Sequence, residues 1–178
     1  AQVTAQQIWD DWKAGLTAMP EARVTIGSES YEGGVLTVTD IALSSSTEDG
    51  GTVAATLPEL VLTENGDGTV TITMSPDYPI RIENPADAAD GSGPTTLDLA
   101  LRQQGLEVTA SGTPGALSYD VAARRVAVEF DRATEDGEEV PLEFVLALNG
   151  LSGTYGTTGT AGADRSIDTD LAAQSLDI

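Results

Sequence analysis

Pro58-Glu-Leu-Val-Leu-Thr-Glu-Asn-Gly-Asp-Gly-Thr-Val-Thr-Ile-Thr-Met-Ser75 decides how the chain folds. Apolar and polar residues alternate on both sides of Asn65-Gly66-Asp67-Gly68, the pattern of two strands joined by a tight turn. Register follows from keeping the apolar residues on one face. A two-residue turn at Gly66-Asp67 would set Leu62 against Thr71 and mix the faces. A three-residue turn, Gly66 to Gly68, sets Leu62 opposite Ile72 and Leu60 opposite Met74, with Gly68 in the left-handed position. The spacing therefore predicts the three-residue turn. Much of the chain repeats this unit, and no catalytic or ligand motif rises above it.

Working outward, the first good helical pattern is Thr4 to about Ala18. Thr4 stands three residues before Gln7, the spacing of a capping box. Val3 and Ile8 are placed to form a hydrophobic staple. Ile8, Trp12 and Leu16 line one stripe, with Trp9 and Met19 on its shoulder, and Pro20 lies just past the expected end. Both tryptophans of the protein fall here. A helix lidding the sheet is the ordinary reading, because an apolar stripe must be buried somewhere. The sharper reading makes Trp9, Trp12 and Leu16 a docking edge for a protein partner or an apolar ligand.

From Arg23 to residue 178 the pattern is mainly β. The alternation changes phase at identifiable points. Leu36 and Val38 are even, whereas Ile41 and Leu43 are odd, with Asp40 between them. Val53, Ala55 and Leu57 shift to Leu60 and Leu62 across Pro58, and Tyr119, Val121 and Ala123 shift to Val126, Val128 and Phe130 across Arg124-Arg125. One extra residue in a strand is what a β-bulge inserts, so these slips predict bulges and a curved sheet, with Pro58 at an edge or a bulge. Asn84–Pro94 reads as a flexible connection. Val140 to Leu148 is the longest unbroken alternation, and glycines at 150, 153, 156, 159 and 162 suggest a weakly specified edge strand or hairpin. Ile167, Leu171, Leu176 and Ile178 suggest a further strand or short helix. The expected architecture is one mainly β domain over residues 1–178. It is a curved, mostly antiparallel meander, open half-barrel or sandwich-like, with one N-terminal amphipathic helix packed on it.

Composition narrows the function. The net charge is −21, with Lys13 and seven arginines as the cations. A field of that sign repels phosphate backbones and anionic headgroups, which excludes nucleic acid as a partner class. Cysteine and histidine are absent, so neither disulfides nor Ser-His-Asp or Cys-His catalysis can be built. Gly150-Leu-Ser-Gly-Thr154 lacks the final glycine of a nucleophile elbow. Acids cluster in turns, Glu48-Asp49, Glu135-Asp136 and Glu138-Glu139, where a solvated surface is the ordinary reading and a carboxylate-dependent hydrolase the minority one. Asn65 with Asp67, or Asp164 with Asp168, could offer oxygens to a weak surface calcium ion, but neither fits the twelve-residue calcium loop. No cofactor is otherwise expected. No run of apolar residues is long enough for a transmembrane segment. Aromatic residues make up 4%, so the core must be aliphatic and thin.

The opening Ala-Gln-Val-Thr-Ala-Gln-Gln-Ile-Trp-Asp-Asp-Trp-Lys13 resembles the mature start of a secreted alphaproteobacterial family, the domain-of-unknown-function family numbered two-one-two-five. Leu36–Asp40, Thr63–Val70, Gly105–Pro114 and Leu148–Tyr155 are similar too. The resemblance implies an exported, β-rich protein whose relatives are often longer, so that this chain would be an N-terminal portion. It implies no activity and no catalytic residues. A periplasmic or extracellular location, with signal-peptide cleavage before Ala1, fits the acidic, Lys-poor, Cys-free composition. The functional expectation is a non-catalytic exported scaffold or accessory subunit that docks on a partner protein. The alternative is a periplasmic carrier of a lipid or other apolar ligand, held in a concave sheet lidded by the helix.

Overall fold

The computed structural model describes residues 2–87, 89, 91–159 and 164–178. Gly162, and Ala88 and Asp90 of the Asn84–Pro94 connection, lie outside the described residues. Helix α1 spans Ala5–Thr17 and is followed by β1 (Ala22–Glu32), β2 (Val35–Ser46), β3 (Thr52–Glu64), β4 (Val70–Met74), β5 (Asp77–Asn84), β6 (Thr95–Gln104) and β7 (Glu107–Thr113). Then come β8 (Ala116–Glu135), β9 (Glu138–Val140), β10 (Val145–Thr158), β11 (Ser166–Ala172) and β12 (Ser175–Asp177). All strands belong to one curved, unclosed sheet with the path β1-β2-β3-β4-β7-β8-β10-β11. Every strand pairing is antiparallel.

The β3–β4 hairpin has the register its alternation requires. Leu62 faces Ile72 and Leu60 faces Met74. The Asn65 N–H donates to the Thr69 carbonyl at 3.0 Å, which leaves Gly66 to Gly68 as the loop. Gly68 takes φ +91 and Gly66 also goes left-handed, at +78. The Asp67 carboxylate accepts from both the backbone N–H and the hydroxyl of Thr69, and these bonds hold its pKa below the usual carboxylate value.

The phase slips are present, but they are not bulges. β1 and β2 keep one register from Ala22↔Ser45 to Glu32↔Val35, and β2 and β3 keep one from Val35↔Thr63 to Ser46↔Thr52. Gly27 therefore lies opposite Asp40, and Asp40 opposite Pro58. The three strands change phase at the same level, so no residue is extra. Asp40 makes the change by adopting φ +53. A Cβ on Gly27 would stand 2.7 Å from the Asp40 Cβ, so the crossing requires glycine there. Pro58 is not on an edge of the sheet. It sits where β3 passes from pairing with β5 at Thr52–Ala55 to pairing with β4 at Leu60–Glu64, and in that gap no ladder bond needs its missing N–H.

The same break runs on across the sheet. β4 gives way to β5, and β6 to β7 at Gly105, φ +65. β8 continues through Arg124, which lies opposite Gly105 on one side and Gly150, φ +60, on the other. β11 gives way to β12 at Gln174, whose N–H donates to the Asn149 carbonyl at 2.8 Å. We call this line the seam. A true register shift occurs elsewhere, between Asp98 and Leu99 on the β6–β8 ladder.

The seam divides the sheet into a helix half and an open half, with the helix core carrying on past it at Val24, Ile26, Ile41 and Leu57. Over the helix half the inner face carries Leu36, Val38, Leu60, Leu62, Val70, Ile72 and Tyr119, all at most 3% exposed. Helix α1 covers it. The capping box forms, with Thr4 accepting from the Gln7 N–H and the Gln7 side chain accepting from the Thr4 N–H. Val3 and Ile8 are both buried in this core. Each large side chain so buried contributes about 1.5–3 kcal/mol.

Two further expectations need correction. The glycine-rich stretch is not an edge strand, because β10 lies between β8 and β11; it takes the other expected form, a hairpin, pairing antiparallel with β11. Gly153 is needed there: a Cβ would stand 2.1 Å from the Asp170 carbonyl oxygen. The Val140–Leu148 alternation is not one strand, because β9 ends at Val140 and β10 begins at Val145. Pro141, with no N–H to give a ladder, falls in the interruption.

Candidate functional site

The tryptophans expected to mark a docking edge are built into the helix half. Trp9 is 1% exposed, and its indole N–H donates to Glu29 Oε1 at 2.8 Å. That bond holds the Glu29 pKa below its usual value, against the opposing effect of burial, with Lys13 adding to the lowering. Lys13 Nζ lies 3.1 Å from Glu29 Oε1 and 5.5 Å over the Trp9 ring. Burial pulls the ammonium pKa down, but the bonds and charges of Glu29 and Asp10 outweigh it and the net shift is upward. Trp12 is half-buried and donates to the Tyr119 hydroxyl at 3.0 Å. Burial pushes the Tyr119 phenol up to about 12, with the Trp12 bond opposing. Leu16 is half-buried. The centre of the helix stripe is thus Ala5, Ile8 and Trp9, with Trp12 and Leu16 at its flank.

Asn65 and Asp67 are occupied with the hairpin turn. The Asn65 amide donates to the Thr69 and Thr71 hydroxyls. Asp168 faces outward along β11, opposite Gly156. Among the described residues no group of three or more His, Cys, Asp or Glu is placed to hold a metal ion.

The feature that stands out is the inner face of the open half. Cross-strand neighbours form continuous apolar rows there. Leu43 faces Ala55, Ala55 faces Ile80, Ile80 faces Leu99 and Leu99 faces Phe130. A second row runs from Tyr78 to Leu101, Val128 and Leu146, and Leu148 continues the face to Leu176. Of the apolar residues in these rows, none is buried and each keeps part of its surface in solvent. At the rim Val53 is 37% and Phe144 38% exposed, with the Phe144 ring packed edge-on to Phe130 at 5.4 Å between centroids. Past the seam the helix core continues only on β1–β3, at Val24, Ile26, Ile41 and Leu57, and the rows on β5, β6, β8 and β10 lie outside it. The chain leaves α1 at the far end of β1–β3, next to the turn that carries Glu48, where Met19, Pro20, Ala22, Leu43, Val53 and Ala55 line an apolar cleft of about 340 Å³.

Charge is segregated around it. Four arginines of the open half lie on the outer face in ion pairs: Arg81 with Glu83 and Asp98, Arg102 with Asp77, Glu129 and Asp131, Arg125 with Glu129, and Arg132 with Glu139. A fifth, Arg23, lies in the cleft beside Glu48. No charged side chain interrupts the two inner rows. At the end of the open half three turns come together. A Cβ on Gly51 would touch the Asn84 side chain, and the Asp136 N–H donates to the Pro94 carbonyl. These turns carry Glu48, Asp49, Asp87, Glu135, Asp136 and Glu138, and their sequences, 47–51, 85–94 and 135–138, contain no lysine or arginine.

Sequence reasoning placed Leu99, Val128 and Phe130 on strands with one apolar face but did not single them out as a site. Each alternates as a core residue does. The available signal was a length mismatch: a helix of 13 residues reaches about 20 Å, whereas β8, with 20 residues, runs about 66 Å. One such helix cannot cover strands of that length. No protein-family model, curated protein or solved structure matches the chain.

Proposed function

We propose that this chain is a non-catalytic, exported docking subunit that binds a partner protein through the inner face of its open half. The observation that carries the reading is the contrast within one apolar sheet face: it is buried under α1 from Leu36 to Ile72, and it keeps solvent-exposed surface at Ile80, Leu99, Leu101, Val128 and Leu146. A contiguous apolar surface of this kind marks an interaction site, since isolated exposed apolar residues would be scattered. Its breadth favours a macromolecule. A small apolar ligand binds where a concave pocket buries most of its surface, whereas these rows extend over several strands without walls. Export is supported by the Lys-poor, Cys-free composition.

A carrier of a lipid or other apolar ligand is the second reading, favoured by the apolar cleft between Met19 and Val53. Native mass spectrometry of the protein purified from its source cells separates the two. A co-purifying polypeptide that is lost in the Leu99→Asp variant supports docking. A retained lipid supports the carrier. A bare monomer in both variants overturns the docking reading.

A further inference from the structure

The bare face, its boundary and its charge together describe what it takes up. Helix α1 already shows how this face is covered: an amphipathic helix lies on it with Ile8 and Trp9 turned inward. The apolar rows continue past the seam on the same face, and the cleft at Met19 and Pro20 opens where α1 ends. The far end of this surface is the group of three acidic turns, Glu48-Asp49, Asp87 and Glu135-Asp136, with no cation of their own.

We infer, resting on the docking reading above, that the occupant is an amphipathic helix of a partner protein. It is apolar along one side and carries a cluster of lysines or arginines at the end that reaches the acidic turns. Helix-in-groove docking supplies the apolar contact. The charge supplies orientation and speed of association, because an acidic rim beside an apolar patch attracts a basic segment and repels an acidic one. A second copy of this chain is disfavoured on the same ground, since its own net charge of −21 would bring like rims together.

The test uses the whole chain and two labelled synthetic peptides with the same leucine stripe, one ending in four lysines and the other in four glutamates. Fluorescence anisotropy is expected to show the lysine peptide binding about tenfold more tightly at about 50 mM NaCl, with most of that preference gone at about 500 mM. The combined Glu135→Gln, Asp136→Asn, Glu138→Gln variant should lose the preference while still binding both peptides, and Leu99→Asp should bind neither. Equal binding of the two peptides overturns the basic-end inference and leaves apolar docking standing. Failure of both peptides to bind, or undiminished binding to Leu99→Asp, overturns the docking reading as well. A dimer seen by sedimentation velocity and abolished by Leu99→Asp would replace the partner helix with a second copy.

Discussion

Individual residues hold the seam. Asp40 sits at φ +53 within a strand, a conformation that aspartate tolerates and β-branched residues do not. Asp40→Val is expected to cost about 1–2 kcal/mol, a drop in Tm of roughly 2–8 °C for a chain of this length. Asp40→Asn should stay within about 0.5 kcal/mol of the parent. Thermal unfolding followed by circular dichroism checks both, and an unaffected Val variant would show that Asp40 is not held left-handed. Gly153 and Gly156 make a second pair. A Cβ at 153 collides with the neighbouring backbone, while at 156 the nearest atoms are 3.9 and 4.0 Å away. Gly153→Ala should therefore destabilise strongly, and Gly156→Ala should be neutral or stabilising by up to about 1 kcal/mol. The same melts decide it, and equal losses at the two positions would contradict the close approach of β11 to β10.

At the scale of elements, the β3–β4 hairpin was legible because period-two alternation and turn chemistry agree on a single register. The Thr4–Gln7 capping box was legible because its spacing is fixed by the first helical turn. The seam was only half legible. The phase slips at Asp40, Pro58 and Arg124 are visible one strand at a time, but whether a slip is a bulge depends on what the neighbouring strand does at that level. The bare face was not legible as a site, since Leu99 alternates no differently from Leu62. The attachment of α1 to β1 gives a pH prediction. Glu29 has a lowered pKa because the Trp9 indole, and then Lys13, bind its charged form. A group with a depressed folded-state value stabilises fully above its unfolded value, near 4.5, and loses that contribution as pH falls through the folded value. The stability advantage of the parent over Glu29→Gln should be constant near neutral pH and shrink as pH falls below about 4.5. Urea titrations of both proteins measure it, and an advantage that grows on acidification would contradict the assignment.

The whole molecule carries far more negative charge than its ion pairs neutralise. Self-repulsion of that size opposes the compact state and is screened by salt. Raising NaCl from about 20 mM to about 300 mM should therefore raise Tm, and a fall would mean that the outer-face arginine pairs outweigh the repulsion. The central claim is that one apolar sheet face is covered by α1 where Leu62 lies and uncovered where Leu99 lies. Matched substitutions of Leu62 and Leu99 by aspartate, compared by thermal unfolding, test it most directly. A charge forced into the buried helix half at Leu62 should cost more than about 4 kcal/mol and abolish the cooperative transition. The same charge at Leu99 reaches solvent, so that variant should melt cooperatively with a loss of only a few degrees, at roughly 2–4 °C per kcal/mol. If Leu99→Asp unfolds the protein as Leu62→Asp does, the open half is covered and no free docking face exists.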